Sequence, residues 1–285
     1  MKHQEFFRRH PVFTGKEMAD YLSSCGEVGS RTQEALLAYH KKTGRVVSVR
    51  RGLYAVVPPG ANPVSYSVDP FLVAAKLTKN AVLSYHTALE FHGRAYSVQE
   101  HFVYTASRPL SPFTFRAHVF RGVRSPESLR RANQENFGVV AMDRSGMEVR
   151  VTSLERTMVD VLNRPDLAGG WEEIWRSLES VEFFDLDKVV EYALLLGNAT
   201  TAAKVGFFLE QHREPLMIEE KHLKSLHGLR PRQPHYLDRD KRRSGHLVSR
   251  WNLVVSREVF ERTWAEVLFS CKSEGKSDKG NAQQR

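Results

Sequence analysis

The residues with the most chemistry in their spacing are basic and polar. Ser30-Arg31-Thr32-Gln33 sets a guanidinium among three hydrogen-bonding side chains within one helical turn, Lys41, Lys42 and Arg45 follow, and Arg50-Arg51-Gly52 lies between two β-branched runs. Arginine donates to phosphate oxygens and to guanine edges, while serine, threonine and glutamine reach base edges or backbone. The pattern therefore points to binding of double-stranded DNA rather than to bond breaking.

Catalytic patterns are weaker. His86 and His92 are six apart, on opposite faces of any one helix and without H-E-x-x-H or cysteine partners, so satisfied, half-buried histidines are the better reading. Asp166 with Glu219-x-Lys221 has the residue types of a metal-dependent nuclease, yet both acids fall at helix ends instead of on adjoining strands. Neither a phosphate-cradling glycine motif nor a serine nucleophile elbow is present. Cys25 and Cys271 stand alone, which excludes a cysteine zinc site or a disulfide scaffold. The reading is non-enzymatic, with no cofactor and no metal.

The elements that must position the basic residues are legible. Thr14-Gly15-Lys16-Glu17 reads as a capping box opening a helix through Leu22 to Gly26; Ser30 to Gln33 reads as a second box, opening a helix that ends at Gly44. Residues 45–49 and 53–57 then form a hairpin with Arg50-Arg51-Gly52 at its tip. Helix, turn, helix and basic hairpin is the order of a winged helix-turn-helix, whose second helix enters the major groove. Three prolines between Pro58 and Pro63 mark a linker.

Beyond it, Asp69-Pro70 opens a helix, a second helix carries Tyr85 to His92, and four runs of period two, 101–105, 113–120, 138–142 and 147–151, predict an antiparallel sheet. Thr152-Ser153-Leu154-Glu155 reads as a third capping box, and helices striped by Trp171, Ile174, Trp175 and Leu178, by Leu186 to Ala193 and by Ala202 to Leu209 follow. The expected fold class is α+β: a winged helix over 1–60, an α+β domain over 61–270 with a helical C-terminal part, and a disordered tail over 271–285.

The charge agrees with this division. The chain of 285 residues carries a formal charge of +9, of which residues 1–60 supply +5 from 10 basic and 5 acidic side chains. Residues 151–218 stand at −6, from 6 basic and 12 acidic side chains, so that stretch, with Glu172, Glu173, Glu179, Glu182, Asp185 and Asp187, suits a protein partner better than phosphate. Arg239-Asp240-Lys241-Arg242-Arg243 is a further basic run that a solvated loop explains equally well. No apolar run approaches the length of a membrane span, and no secretion-type apolar stretch follows Met1, so the expectation is a cytoplasmic protein without membrane contact.

Four stretches in order, Arg50 to Val56, Asp69 to Ala74 with Ser84 to Glu90, Val151 to Asp160, and Arg250-Trp251-Asn252-Leu253, resemble the AbiEi antitoxin family over most of residues 10–255. The resemblance implies an antitoxin and autorepressor of a type IV toxin–antitoxin (abortive infection) operon, with a winged helix that binds inverted repeats in its own promoter and a C-terminal domain that counteracts a nucleotidyltransferase-like toxin. It places the DNA contacts on Ser30, Arg31, Thr32, Gln33, Arg50 and Arg51, and assigns no residue to neutralisation. A stand-alone winged-helix regulator, and less readily a metal-dependent nuclease, are the alternatives.

Overall fold

The computed structural model describes residues 3–26, 30–238 and 245–265, and they form a mixed α+β structure. The run Arg239 to Arg243, Cys271 and the tail expected over 271–285 lie outside the described residues.

The first unit runs α1 (Gln4–Arg9), β1 (Val12–Thr14), α2 (Gly15–Ser24), α3 (Ser30–Lys42), β2 (Val46–Arg50) and β3 (Leu53–Val56). Thr14 caps α2 as its spacing predicts: its hydroxyl accepts from the Glu17 amide, and the Glu17 carboxylate accepts in return from the Thr14 amide at 2.7 Å. Gln33 donates from Nε2 to the Gly15 carbonyl at 2.5 Å, so its amide ties α3 to the start of α2. The hairpin β2–β3 is antiparallel, with a register shift between Ser48 and Arg50 and Gly52 in the left-handed region at φ +79°. Strand β1, too short to show an alternating pattern, completes an antiparallel sheet of order β1-β3-β2.

This sheet has two apolar faces. Phe13 and Val46 join Phe6, Phe7, Met18, Leu22 and Leu37 in a core with the helices, whereas Val12, Val49, Leu53 and Ala55 pack against residues beyond the linker, among them Phe71, Leu72, Phe102 and Val149. The proline linker thus divides the sequence without dividing the packing, because a three-stranded sheet covered by helices on one side still has a second face to bury.

The following elements are α4 (Pro70–Lys76), β4 (Val82–Leu83), α5 (His86–Phe91), β5 (His101–Ala106), β6 (Phe113–Phe115), β7 (His118–Arg124), α6 (Glu127–Arg131), β8 (Val139–Arg144) and β9 (Met147–Thr152). Asp69 caps α4 by accepting from the Phe71 amide at 2.9 Å, with Pro70 at the first helical position. The strands form one sheet, β6-β7-β5-β4-β9-β8, which is mixed: β5 runs parallel to β7 and β4 parallel to β9. The antiparallel expectation fails because alternation reports that a segment is a strand without reporting its direction. The run 113–120 is likewise two strands, turned at Arg116 with φ +55°.

A helical region follows: α7 (Leu154–Asn163), α8 (Trp171–Glu179), α9 (Leu186–Leu196), α10 (Ala199–Gln211) and α11 (Glu220–Leu229). Ser153, one residue later than expected, caps α7, because the Thr152 hydroxyl is bonded to that of Thr157 at 2.7 Å. Met158, Val161, Ile174, Trp175, Leu178, Val205 and Phe208 meet in one core. A small sheet not expected from the sequence closes it, with strands β10 (His235–Tyr236), β11 (His246–Val248) and β12 (Leu253–Val255) in the order β10-β12-β11, followed by α12 (Arg257–Glu261). No helix among the described residues is long and apolar enough to cross a membrane.

Polar contacts reinforce the shared core between the first unit and the rest. Glu17 of α2 pairs with Lys76 of α4, and Arg116 donates to the Pro63 carbonyl at 2.7 Å. Burial alone would raise the Glu17 carboxyl, but the hydrogen bonds from Lys76 and Thr14 outweigh it and hold the group below its ordinary value. A carboxyl lowered in the folded state adds stability above its unfolded pKa and loses it as the pH falls through the folded one. Urea midpoints measured between about pH 3 and 6 should therefore fall more steeply toward acid in the wild type than in Glu17→Gln, and parallel curves would show that the pair contributes nothing.

Candidate nucleic-acid interface

Gly15 is the junction at which the segments carrying the basic residues meet. Its amide donates to the Gly52 carbonyl at the hairpin tip at 2.9 Å, and its own carbonyl accepts from Gln33 in the first turn of α3. Three separate pieces of chain, the start of α2, the start of α3 and the tip of the β2–β3 hairpin, are thereby drawn to one place. A Cβ on Gly15 would stand 3.5 Å from Gln33 Nε2 and 3.9 Å from the Tyr54 ring, within ordinary contact distance. Arg31 and Thr32 are exposed beside Gln33, Arg51 is exposed beside Gly52, and Lys16 is exposed beside Gly15. Among the described residues none of Lys16, Arg31 and Arg51 has a carboxylate partner, so their charge is available to an anion.

The other expected contacts are distributed differently. Ser30 is the first residue of α3, ahead of Arg31. Arg50, next to Arg51, turns inward, with its guanidinium 5.0 Å from the centre of the Phe113 ring on β6, which makes it part of the seam between the hairpin and the large sheet. Lys41 and Lys42 are exposed in the last turn of α3, about 15 Å along the helix from Arg31. Arg45 is half-buried and lies 5.1 Å from the centre of the Phe7 ring. Gln33 and the hairpin tip beside Arg51 are thus tied to Gly15, Arg31 and Thr32 share the first turn of α3 with Gln33, and Lys41, Lys42 and Arg45 lie at the other end of that helix. Lys16 was missed by sequence reasoning because it sits inside a capping box, where a lysine carries no signal of its own.

No family model matches the chain, and no curated protein matches it. Among solved structures it is similar to the crystal structure of the RV2827C protein from Mycobacterium tuberculosis, with a TM-score of 0.53 and 16% identity over 88% of this chain and 89% of that one. The likeness is one of fold. It spans both the first unit and the region beyond the linker.

The remaining chemical candidates are held by structural bonds. His86 is buried with Nε2 3.0 Å from Glu173 Oε1, and His92 Nε2 lies 2.8 Å from the Thr152 carbonyl. Burial pushes the His86 imidazole down, opposed by its bond to Glu173. Asp166 accepts two bonds from Arg164 at 2.9 Å each, and Glu219 pairs with Lys221 at 3.1 Å, so each acid is held by a basic neighbour in its own segment. No group of three or more metal-binding side chains occurs among the described residues. The acidic stretch is also largely committed: Glu173 also accepts from Ser97 and Ser177, Glu172 pairs with Arg176, Glu179 with His212, and Asp187 with His222, while Asp185 caps α9. These carboxylates are nonetheless mostly at the surface: Glu172, Glu179, Glu182 and Asp187 are exposed, and of the six only Glu173 is buried.

Proposed function

We propose that this chain is a DNA-binding transcriptional regulator whose first unit acts as a winged helix-turn-helix, with α3 as the recognition helix and the β2–β3 hairpin as the wing. The observation that carries the reading is the meeting at Gly15 of the start of α2, the start of α3 and the hairpin tip, each with an exposed cation, Lys16, Arg31 and Arg51, that has no acidic partner among the described residues. Arg31, one residue into α3, is in the position from which a side chain meets base edges; Arg51 on the wing and Lys16 at the start of α2 are suited to phosphate.

The wider reading, an antitoxin and autorepressor that acts on inverted repeats in its own promoter and counteracts a nucleotidyltransferase-like toxin, rests on the four AbiEi-like stretches. Many of their residues are core-builders, such as Arg156, Asp160 and Trp251. The antitoxin half of the proposal is correspondingly the part that a growth-rescue assay with a co-expressed nucleotidyltransferase-like toxin must test.

The DNA-binding half is tested by titrating the full-length protein into a labelled promoter fragment of its own operon over a salt series. Arg31→Ala should lose about 1–3 kcal/mol of preference at one base pair. Arg51→Ala and Lys16→Ala should weaken all sequences alike, each flattening the salt slope by about one unit. Wild-type affinity that does not change with salt would overturn the reading, and unchanged base preference in Arg31→Ala would remove α3 from the role of recognition helix.

A further inference from the structure

The six-stranded sheet ends on one side at β6, three residues long and packed at Phe113 against Arg50 of the hairpin, and on the other at β8, six residues long. Outer strands are usually protected by lysine, proline, a bulge or a covering segment, because an unpaired edge is a template for another strand. Strand β8 has none of these. Val139–Arg144 holds neither lysine nor proline, its register with β9 is unbroken from Val139↔Thr152 to Arg144↔Met147, and residues 140–143 are exposed.

The direction of its backbone groups follows from the ladder. Gly138 accepts from the Ser153 amide at 2.7 Å, so the alternate residues Val140, Met142 and Arg144 bond to β9, while Val139, Ala141 and Asp143 turn outward. The Val139 N–H is taken by the Asn136 carbonyl at 3.1 Å. The edge therefore offers the Val139 carbonyl and both backbone groups of Ala141 and Asp143, none of them bonded among the described residues. Apolar side chains flank it. Val140 and Met142 share a face with the buried Val151 and Val149 opposite them, yet are 38% and 39% exposed.

An identical strand complements this edge. In an antiparallel pair related by a two-fold axis at Ala141, the two Ala141 residues exchange both bonds, and each Asp143 N–H donates to the Val139 carbonyl of the second copy. Val140 then stands opposite Met142 of the second copy on the uncovered apolar face, in the closer, non-hydrogen-bonded kind of pair. The charges agree with this register: Asp143 meets Val139 and Arg144 meets Gly138, whereas an axis at Asp143 would set two carboxylates against each other.

We propose that β8 pairs with β8 of a second copy of this chain, antiparallel about Ala141, so that two six-stranded sheets become one across a homodimer. A contact confined to one strand and its flanking side chains is smaller than the interface of a permanent dimer, so the association is reversible. The proposal is independent of the DNA-binding reading, since its test contains no nucleic acid.

The test is sedimentation of the full-length protein at concentrations up to about 200 µM, which should show a reversible monomer–dimer equilibrium. Ala141→Pro removes an outward N–H and no bond to β9, a change that an edge strand tolerates, and should weaken the dimer at least tenfold while circular dichroism shows the fold retained. Met142→Lys, at an exposed position, should weaken it as much and carries the test should Ala141→Pro fail to fold. In a Cys25→Ser/Cys271→Ser background, an equimolar mixture of Val140→Cys and Met142→Cys proteins should oxidise to the mixed disulfide in preference to either homodimer. A wild-type chain still monomeric at about 200 µM, a dimer weakened less than tenfold by a folded Ala141→Pro or Met142→Lys, or Met142→Cys linking mainly to itself would overturn the pairing.

Discussion

Replacing Trp251 with alanine is expected to lower the unfolding free energy by about 3–5 kcal/mol, the cost of emptying a fully buried tryptophan site. Its ring is 0% exposed and lies against α10 at Gly206, where any Cβ would overlap the indole. The indole N–H donates to Glu210 Oε2 at 2.6 Å, and the same carboxylate accepts from Arg250 at 2.8 Å. One bulky side chain thus joins the loop before β12 to the middle of α10 through shape and through a shared acid. Gly206→Ala approaches the same contact from the helix. Alanine should favour the helix by up to ~1 kcal/mol, yet the collision with a ring that has no room to retreat should reverse the sign to a net loss of about 1–3 kcal/mol. Urea unfolding of both variants decides the point. A Gly206→Ala protein more stable than wild type would show that the ring is free to shift and that the close approach does not constrain the fold.

The second large effect is expected at Asp160. Its carboxylate accepts from Tyr192 Oη at 2.7 Å and from Arg156 Nε at 3.3 Å, and all three side chains are almost entirely buried. Arg156 also donates to the carbonyls of Glu135 and Phe137, at 2.9 and 2.6 Å, so its guanidinium fastens the loop before β8 onto α7. Asp160→Asn leaves that guanidinium buried without its counter-charge and should cost about 3–5 kcal/mol. Tyr192→Phe removes one hydrogen bond and should cost about 1–2 kcal/mol. The double variant Arg156→Met/Asp160→Leu should be less damaging than Asp160→Asn, since it removes both charges together. A double-mutant cycle from denaturant unfolding reads the coupling, and an Asp160→Asn loss below about 1 kcal/mol would mean that Arg156 is compensated by the two carbonyls alone.

Local chemistry was legible in the sequence wherever a few neighbouring residues suffice to satisfy the backbone. Thr14 and Glu17 close their box, Asp69 caps the helix it precedes, and Gly44 and Gly52 take the left-handed conformations that end α3 and turn the hairpin. Helix faces followed equally well, since Ile174, Trp175 and Leu178 point inward at the spacing that the helical period dictates. Strand direction was not legible. The parallel pairs β5–β7 and β4–β9 depend on where the chain returns after long excursions, and alternation is the same for either direction.

The candidate interface divides along the same line. That Arg31 and Arg51 belong to the start of a helix and the tip of a hairpin follows from caps and turn residues close by in sequence. Tertiary packing decided the rest: Gly15 brings those two places together, adds Lys16, and spends the Gln33 amide on its own carbonyl. It also turned Arg50 onto Phe113, 63 positions further along the sequence, and buried the second face of the small sheet beneath residues beyond the linker. Composition reported the positive charge of the first unit because charge adds along a chain. Which of those charges remain free to meet an anion depends on what each side chain packs against, and that is settled only when distant segments compete to bury the same surfaces.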